Sequence, residues 1–167
     1  MHSFLHLADW LSTWSAKAFS WLIVVLTLAI FYEVIVRYAF NAPTVWAWDV
    51  SYMLYGAHFM MGIAYTLHRK GDVRIDVFYK NFSPRTQATI DLCLYPIFFF
   101  PGLIILLYAG IIQTAYSWSI DEKTGVTMWR VPIYPFKTIL PVATFLLLLQ
   151  GTAEFIRTIH TAVKGKK

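Results

Sequence analysis

The chain has 167 residues, 58% of them hydrophobic and only 14% charged, with a net charge of +5 at neutral pH. A soluble domain of this length cannot hide so large an apolar fraction in one core, so the surplus needs lipid or a protein partner. Nucleic acid is not the reading of the positive charge, because the basic residues sort by side in the way that membrane proteins sort theirs.

Four stretches approach the roughly 20 apolar residues needed to cross about 30 Å of hydrocarbon. They are residues 19–38, 50–67, 90–112 and 133–156. The expected fold is therefore all-α: a single membrane domain over residues 1–167, an integral bundle of four transmembrane helices with interfacial amphipathic segments.

Residues 3–15 come first, with Phe4, Leu5, Trp10, Leu11 and Trp14 near helical spacing. That pattern fits a helix lying in the membrane interface. The first span follows Lys17; its apolar run is too long for a signal peptide and it carries Glu33, so it reads as a retained anchor. Glu33 and Arg37 stand four apart near its end and face the same way. They read either as a structural pair, with Arg37 snorkelling toward water, or as a contact with another subunit.

Residues 41–48 combine Pro43 with Trp46 and Trp48, as expected where a chain runs along an interface before turning inward. Asp49 then falls in the first turn of the second span, where a carboxylate meets the positive end of the helix dipole. That span has a small-residue character from Gly56, Ala57, Gly62 and Ala64, which permits close helix contact. His58 sits in its middle without a histidine partner at matching depth, which favours a packing hydrogen bond over haem ligation.

Between spans two and three, residues 72–82 read as an amphipathic interfacial segment. Ser83-Pro84 then reads as a cap and first turn of a helix reaching Ser119, roughly 50 Å long. Pro96 and Pro101 are its kink positions. Cys93 lies inside it and reads as a structural thiol. Beyond a polar loop of residues 120–130, two prolines, Pro132 and Pro135, turn the chain back into the fourth span. Gln150, Glu154 and Arg157 share one stripe there, which reads as a Glu154–Arg157 pair with Gln150 bridging to a neighbouring helix.

With four spans, the termini and the loop between spans two and three share a side. That side holds ten basic residues against four on the other, namely Arg37, Lys123, Arg130 and Lys137. Both termini are therefore expected in the cytoplasm. The chain has no phosphate loop, GxSxG, HExxH or CxxC, so no enzyme is expected. Nor does it pair interrupted helices in two repeats around a midplane site, as whole transporters do.

Three segments resemble the DctQ-like family, the small permease subunit of tripartite ATP-independent periplasmic (TRAP) transporters. The first is Glu33-Val-Ile-Val-Arg-Tyr-Ala-Phe-Asn41, followed by Pro43 and the tryptophans. The second is Val73-Arg-Ile-Asp-Val-Phe-Tyr79, similar to a His-Val-Arg-Val-Asp motif but with Asp72 in place of the histidine. The third is Arg130-Val-Pro-Ile-Tyr-Pro-Phe-Lys137, followed by Pro141 and Leu-Gln150-Gly.

The resemblance implies a bacterial inner-membrane protein without a cofactor of its own. It would serve a large DctM-like subunit, which carries sodium and substrate and moves as an elevator, and a periplasmic DctP-like binding protein that delivers organic acids. Residues assigned to subunit contact or interfacial anchoring are Glu33, Arg37, Tyr38, Trp46, Trp48, Asp49, Arg74, Asp76, Trp129, Arg130, Gln150 and Glu154. The competing expectations are a haem-bearing or quinone-site membrane anchor of a respiratory oxidoreductase, and a self-contained small transporter.

Overall fold

A computed structural model describes residues 2–69, 82 and 84–164. Nearly all of segment 72–82, including Arg74 and Asp76, lies outside the described residues. The rest is helical apart from two connections and one isolated β-bridge, between Lys123 and Pro132. In chain order the helices are α1 (His2–Ser20), α2 (Leu22–Ala39), α3 (Ala47–His68), α4 (Pro84–Leu94), α5 (Phe100–Ser119), α6 (Tyr134–Lys137) and α7 (Ile139–Lys164).

Only Trp21, itself in helical conformation, separates α1 from α2. Together they form one of three helical stretches long and apolar enough to cross a membrane, Ser3–Ala39, Thr89–Ser119 and Tyr134–His160. The second of these contains a π-helical turn, Tyr95–Phe99, that joins α4 to α5. Pro96 and Pro101 flank and enter this turn; each lacks an N–H and so breaks the regular helical ladder, which is why the widened turn forms here.

Packing arranges these helices in a row rather than a closed bundle. Helices α3 and α7 lie against each other at the centre, α2 packs on α3, and α4 and α5 pack on α7. Helix α1 covers the seam between α3 and α7 at the end of the molecule where α3 finishes. Segment 3–15 is thus part of a helix docked on its neighbours, and the side it buries is Ala8 and Ser12. Its aromatic side looks outward, with Trp10 and Trp14 exposed and their rings 6.2 Å apart.

The same inversion runs through the molecule. Apart from Leu26, Met61 and Leu67, the buried side chains among the described residues are small or polar, including Ala57, Ala64, Ala143, Ala153, Ser117 and Gln150, while Leu28, Phe31, Ile105 and Ile111 are exposed. Where lipid is as apolar as leucine, helices gain nothing by hiding leucine, and close backbone approach and hydrogen bonds hold them together. Two glycines make such approaches. The Phe136 ring lies on Gly56 of α3, with Cζ 2.7 Å from where a Cβ would stand, and the Phe99 ring lies on Gly151 of α7, also 2.7 Å away at Cζ.

At Gly151 a methyl group would have to displace an aromatic ring wedged at the π-helical turn. Gly151→Ala is expected to destabilise the protein by about 1–3 kcal/mol, the usual cost of overpacking. Gly102→Ala, where nothing lies within 4 Å of the added Cβ, should be neutral or stabilise by up to about 1 kcal/mol through helix propensity. Thermal unfolding of the two variants in the same detergent separates these outcomes.

Candidate assembly interface

Polar side chains gather at the two ends of the row. At one end, the tip of α2 holds its own turn: Glu33 Oε1 accepts from Arg37 Nε at 3.0 Å and Nη2 at 2.6 Å. Its other oxygen accepts from the Thr44 backbone N–H at 3.2 Å and from the Thr44 hydroxyl. The Glu33 carboxylate is therefore spent on fixing the connection to α3, and the outer half of the exposed Arg37 guanidinium faces outward. Around it, Trp46 stacks on Tyr32 at 5.9 Å, while Tyr38, Phe40 and Trp48 are exposed.

Asp49, in the first turn of α3, is only 2% exposed. Beyond the helix dipole, it accepts hydrogen bonds from the hydroxyls of Thr124, at 3.1 Å, and Thr127. This fastens the 120–133 loop onto α3.

The loop begins where α5 ends in a full Schellman motif. Asp121 takes a left-handed conformation (φ 46°), its N–H returns to Trp118 O at 3.4 Å, and the Glu122 N–H returns to Ser117 O at 3.1 Å. Two cross-bonds, Thr124 N–H to Val131 O at 2.8 Å and Ile133 N–H to Glu122 O at 2.9 Å, close the loop. Its tip presents Val126, Met128 and Trp129 to the outside, with Met128 94% exposed. Arg130 is exposed beside them in a left-handed conformation (φ 49°).

The Glu122 side chain then accepts from Ser117 Oγ at 2.6 Å and from Lys137 Nζ at 2.5 Å, clasping α5 to α6. The Lys137 ammonium, and after it the Ser117 hydroxyl, hold this carboxyl below the ordinary glutamate range.

The opposite end is organised by Asp9 of α1. Its Oδ2 accepts from Arg157 Nη2 at 2.5 Å, and its Oδ1 accepts from Gln150 Nε2 at 3.1 Å and lies 3.0 Å from His68 Nδ1. A carboxylate only accepts, so the His68 proton sits on Nδ1. The 3.4 Å approach of Gln150 Nε2 to that nitrogen is then one of two donors sharing Asp9 Oδ1.

Gln150 is fully buried and accepts from Ser12 Oγ at 2.8 Å, and Arg157 also pairs with Glu154. The stripe of Gln150, Glu154 and Arg157 does bridge to a neighbouring helix, and the bridge is made by Asp9, which sequence reasoning passed over. Asp9 is the sole acid before Glu33 and stands three residues from Ser12, a spacing that marks one helical face.

Among the described residues no buried side-chain nitrogen or oxygen lacks a partner, and no group of three His, Cys, Asp or Glu could hold a metal. His58 is engaged with the Phe19 carbonyl at 3.1 Å, at the junction of α1 and α2. The structure thus brings together Glu33 with Arg37, and Gln150 with Glu154, each set at one end. It places Trp129 and Arg130 on an exposed loop tip, and Tyr38 and Trp48 on the outside.

This is an arrangement for holding helices and presenting surfaces, and residues 26–161 match the family described as Tripartite ATP-independent periplasmic transporters, DctQ component. The chain belongs to that family. A comparison with individually curated proteins finds no significant match. As a DctQ component the chain is a small membrane subunit of a TRAP transporter, which works with DctM and DctP components, and is a transporter part rather than an enzyme. The respiratory-anchor and self-contained-transporter readings are not favoured.

Two expectations follow from these DctQ polar ties. Gln150→Leu keeps the volume but strands the Ser12 hydroxyl and one acceptor site of Asp9, and should cost about 1–3 kcal/mol in thermal or denaturant unfolding. Because its folded-state pKa is depressed, Glu122 contributes stability above the unfolded glutamate value and loses it as pH falls through the lower, folded value. The stability difference between wild type and Glu122→Gln should therefore be constant near neutrality and shrink only below the ordinary glutamate range.

Proposed function

We propose that this chain is the stationary small subunit of a sodium-coupled, binding-protein-dependent importer of organic acids in a bacterial inner membrane. In this reading it clamps the large elevator-type subunit and enlarges the scaffold against which that subunit's mobile domain slides. Sodium and substrate are handled by the large subunit, and the loop tip at Val126, Met128 and Trp129 faces the docking periplasmic binding protein.

One observation carries the reading: the flanking helices α2 and α5 fully bury almost none of their apolar residues inside the chain. In each of the two long stretches that contain them only 6% of the most apolar window is buried, against 33% for α7. A helix row with two apolar flanks is half of an assembly, one side for lipid and one for a larger protein.

The same reading makes α3 the fourth span. At 22 residues it is about 33 Å long, enough to cross, and its lower apolarity fits a helix sheltered by α1, α2 and α7. Both termini are then cytoplasmic, on the side with ten basic residues, and the Glu33, Asp49 and Glu122 ties lie at the periplasmic end.

Co-expression with a DctM-type large subunit tests this. Deleting the chain should abolish uptake, and Arg37→Ala should weaken co-purification with the large subunit more than Lys166→Ala. A stable, monomeric chain whose deletion leaves uptake unchanged, or equal effects of the two substitutions, would sink the scaffold reading.

A further inference from the structure

A groove of about 450 Å³ opens between the last turns of α1 and the second half of α3. Its floor is apolar, formed by Phe59, Ile63 and the bare backbone of Gly62. Gly62 is not there for helix packing, since a Cβ added to it would meet nothing within 4 Å. A mid-helix glycine costs stability, so open space beside it is space the fold has kept clear.

The groove's mouth is cationic. Lys17 and Ser20 line one side and Tyr65 the other, and Tyr65 carries Arg69, whose Nε donates to the phenol oxygen at 3.1 Å and whose guanidinium lies 5.7 Å from the ring centroid. None of the lining residues is acidic, and neither Lys17 nor Arg69 forms an ion pair among the described residues.

We propose that this groove seats one anionic phospholipid of the bilayer, its phosphate between Lys17 and Arg69 and an acyl chain along Gly62, Phe59 and Ile63. Arg69 lies at the end of the row that carries Asp9 and His68, which the topology above puts at the cytoplasmic leaflet, and Lys17, about two turns along α1 from Asp9, snorkels toward that end, where anionic headgroups and basic side chains meet. The inference rests on that membrane topology and not on the scaffold role, so it is read without transport or the large subunit. A seated acyl chain fills the gap beside the α1–α2 junction and steadies α1 against α3.

Native mass spectrometry of the full-length chain, purified in mild detergent and titrated with phosphatidylglycerol, phosphatidylcholine or inorganic phosphate, tests it. One phosphatidylglycerol should be retained about tenfold better than phosphatidylcholine, and Lys17→Gln and Arg69→Gln should each weaken it about fivefold. Gly62→Leu, whose Cβ meets nothing within 4 Å and whose branched end would occupy the groove, should remove the adduct while leaving the circular-dichroism spectrum unchanged. Lys123→Gln, at the opposite end, should change nothing. Equal retention of the two lipids, equal binding of free phosphate, or phosphatidylglycerol retention indifferent to all three groove variants would overturn the assignment.

Discussion

Everything at one end of the molecule depends on the carboxylate of Asp9. It draws an arginine and an amide from α7 and an imidazole from α3 onto a single side chain of α1. Surface ion pairs contribute little, but this one is part-buried, shares its charge among several donors, and is backed by a glutamine with no exposure at all. In a setting where apolar side chains gain nothing by leaving lipid, such a knot is what makes three helices one unit.

The opposite end uses the same chemistry on loops. Glu33 fixes the α2–α3 turn, Asp49 holds the long loop by two threonines, and Glu122 clasps the last turn of α5 to Lys137. Between the two ends the helices touch through alanine, glycine and threonine, with the rings of Phe99 and Phe136 laid on glycines. Polar ties at both rims and close contact in the middle leave the large apolar residues facing out, which is the reverse of a soluble domain.

Much of this was legible in the sequence because it is local. The Glu33–Arg37 pair, the stripe of Gln150, Glu154 and Arg157, and the break at Pro96 all follow from spacings of three or four residues or from a missing N–H. What could not be read was which helix face turns inward. The aromatic stripe of residues 3–15 is the obvious amphipathic signal, yet the face that docks is Ala8, Asp9 and Ser12, because lipid removes the usual reason to bury tryptophan. Asp49 follows from the sequence as a helix-start acid, and it lies in the first turn of α3, but its threonine partners lie 75 and 78 residues away, a distance no local pattern spans.

The row arrangement also explains why α3, the fourth span of our proposal, carries less apolarity than the stretches that flank it. A helix with neighbours on three sides needs small and polar residues for contact, so Gly56, Ala57, His58 and Ala64 lower its apolarity where α2 and α5, with one main neighbour each, carry uninterrupted apolar runs. Hydropathy in such a chain reports exposure to lipid or partner more than membrane crossing. The strongest hydropathic signals therefore mark the flanks of the row, and the weakest marks its centre, where α3 is joined to α1, α2 and α7.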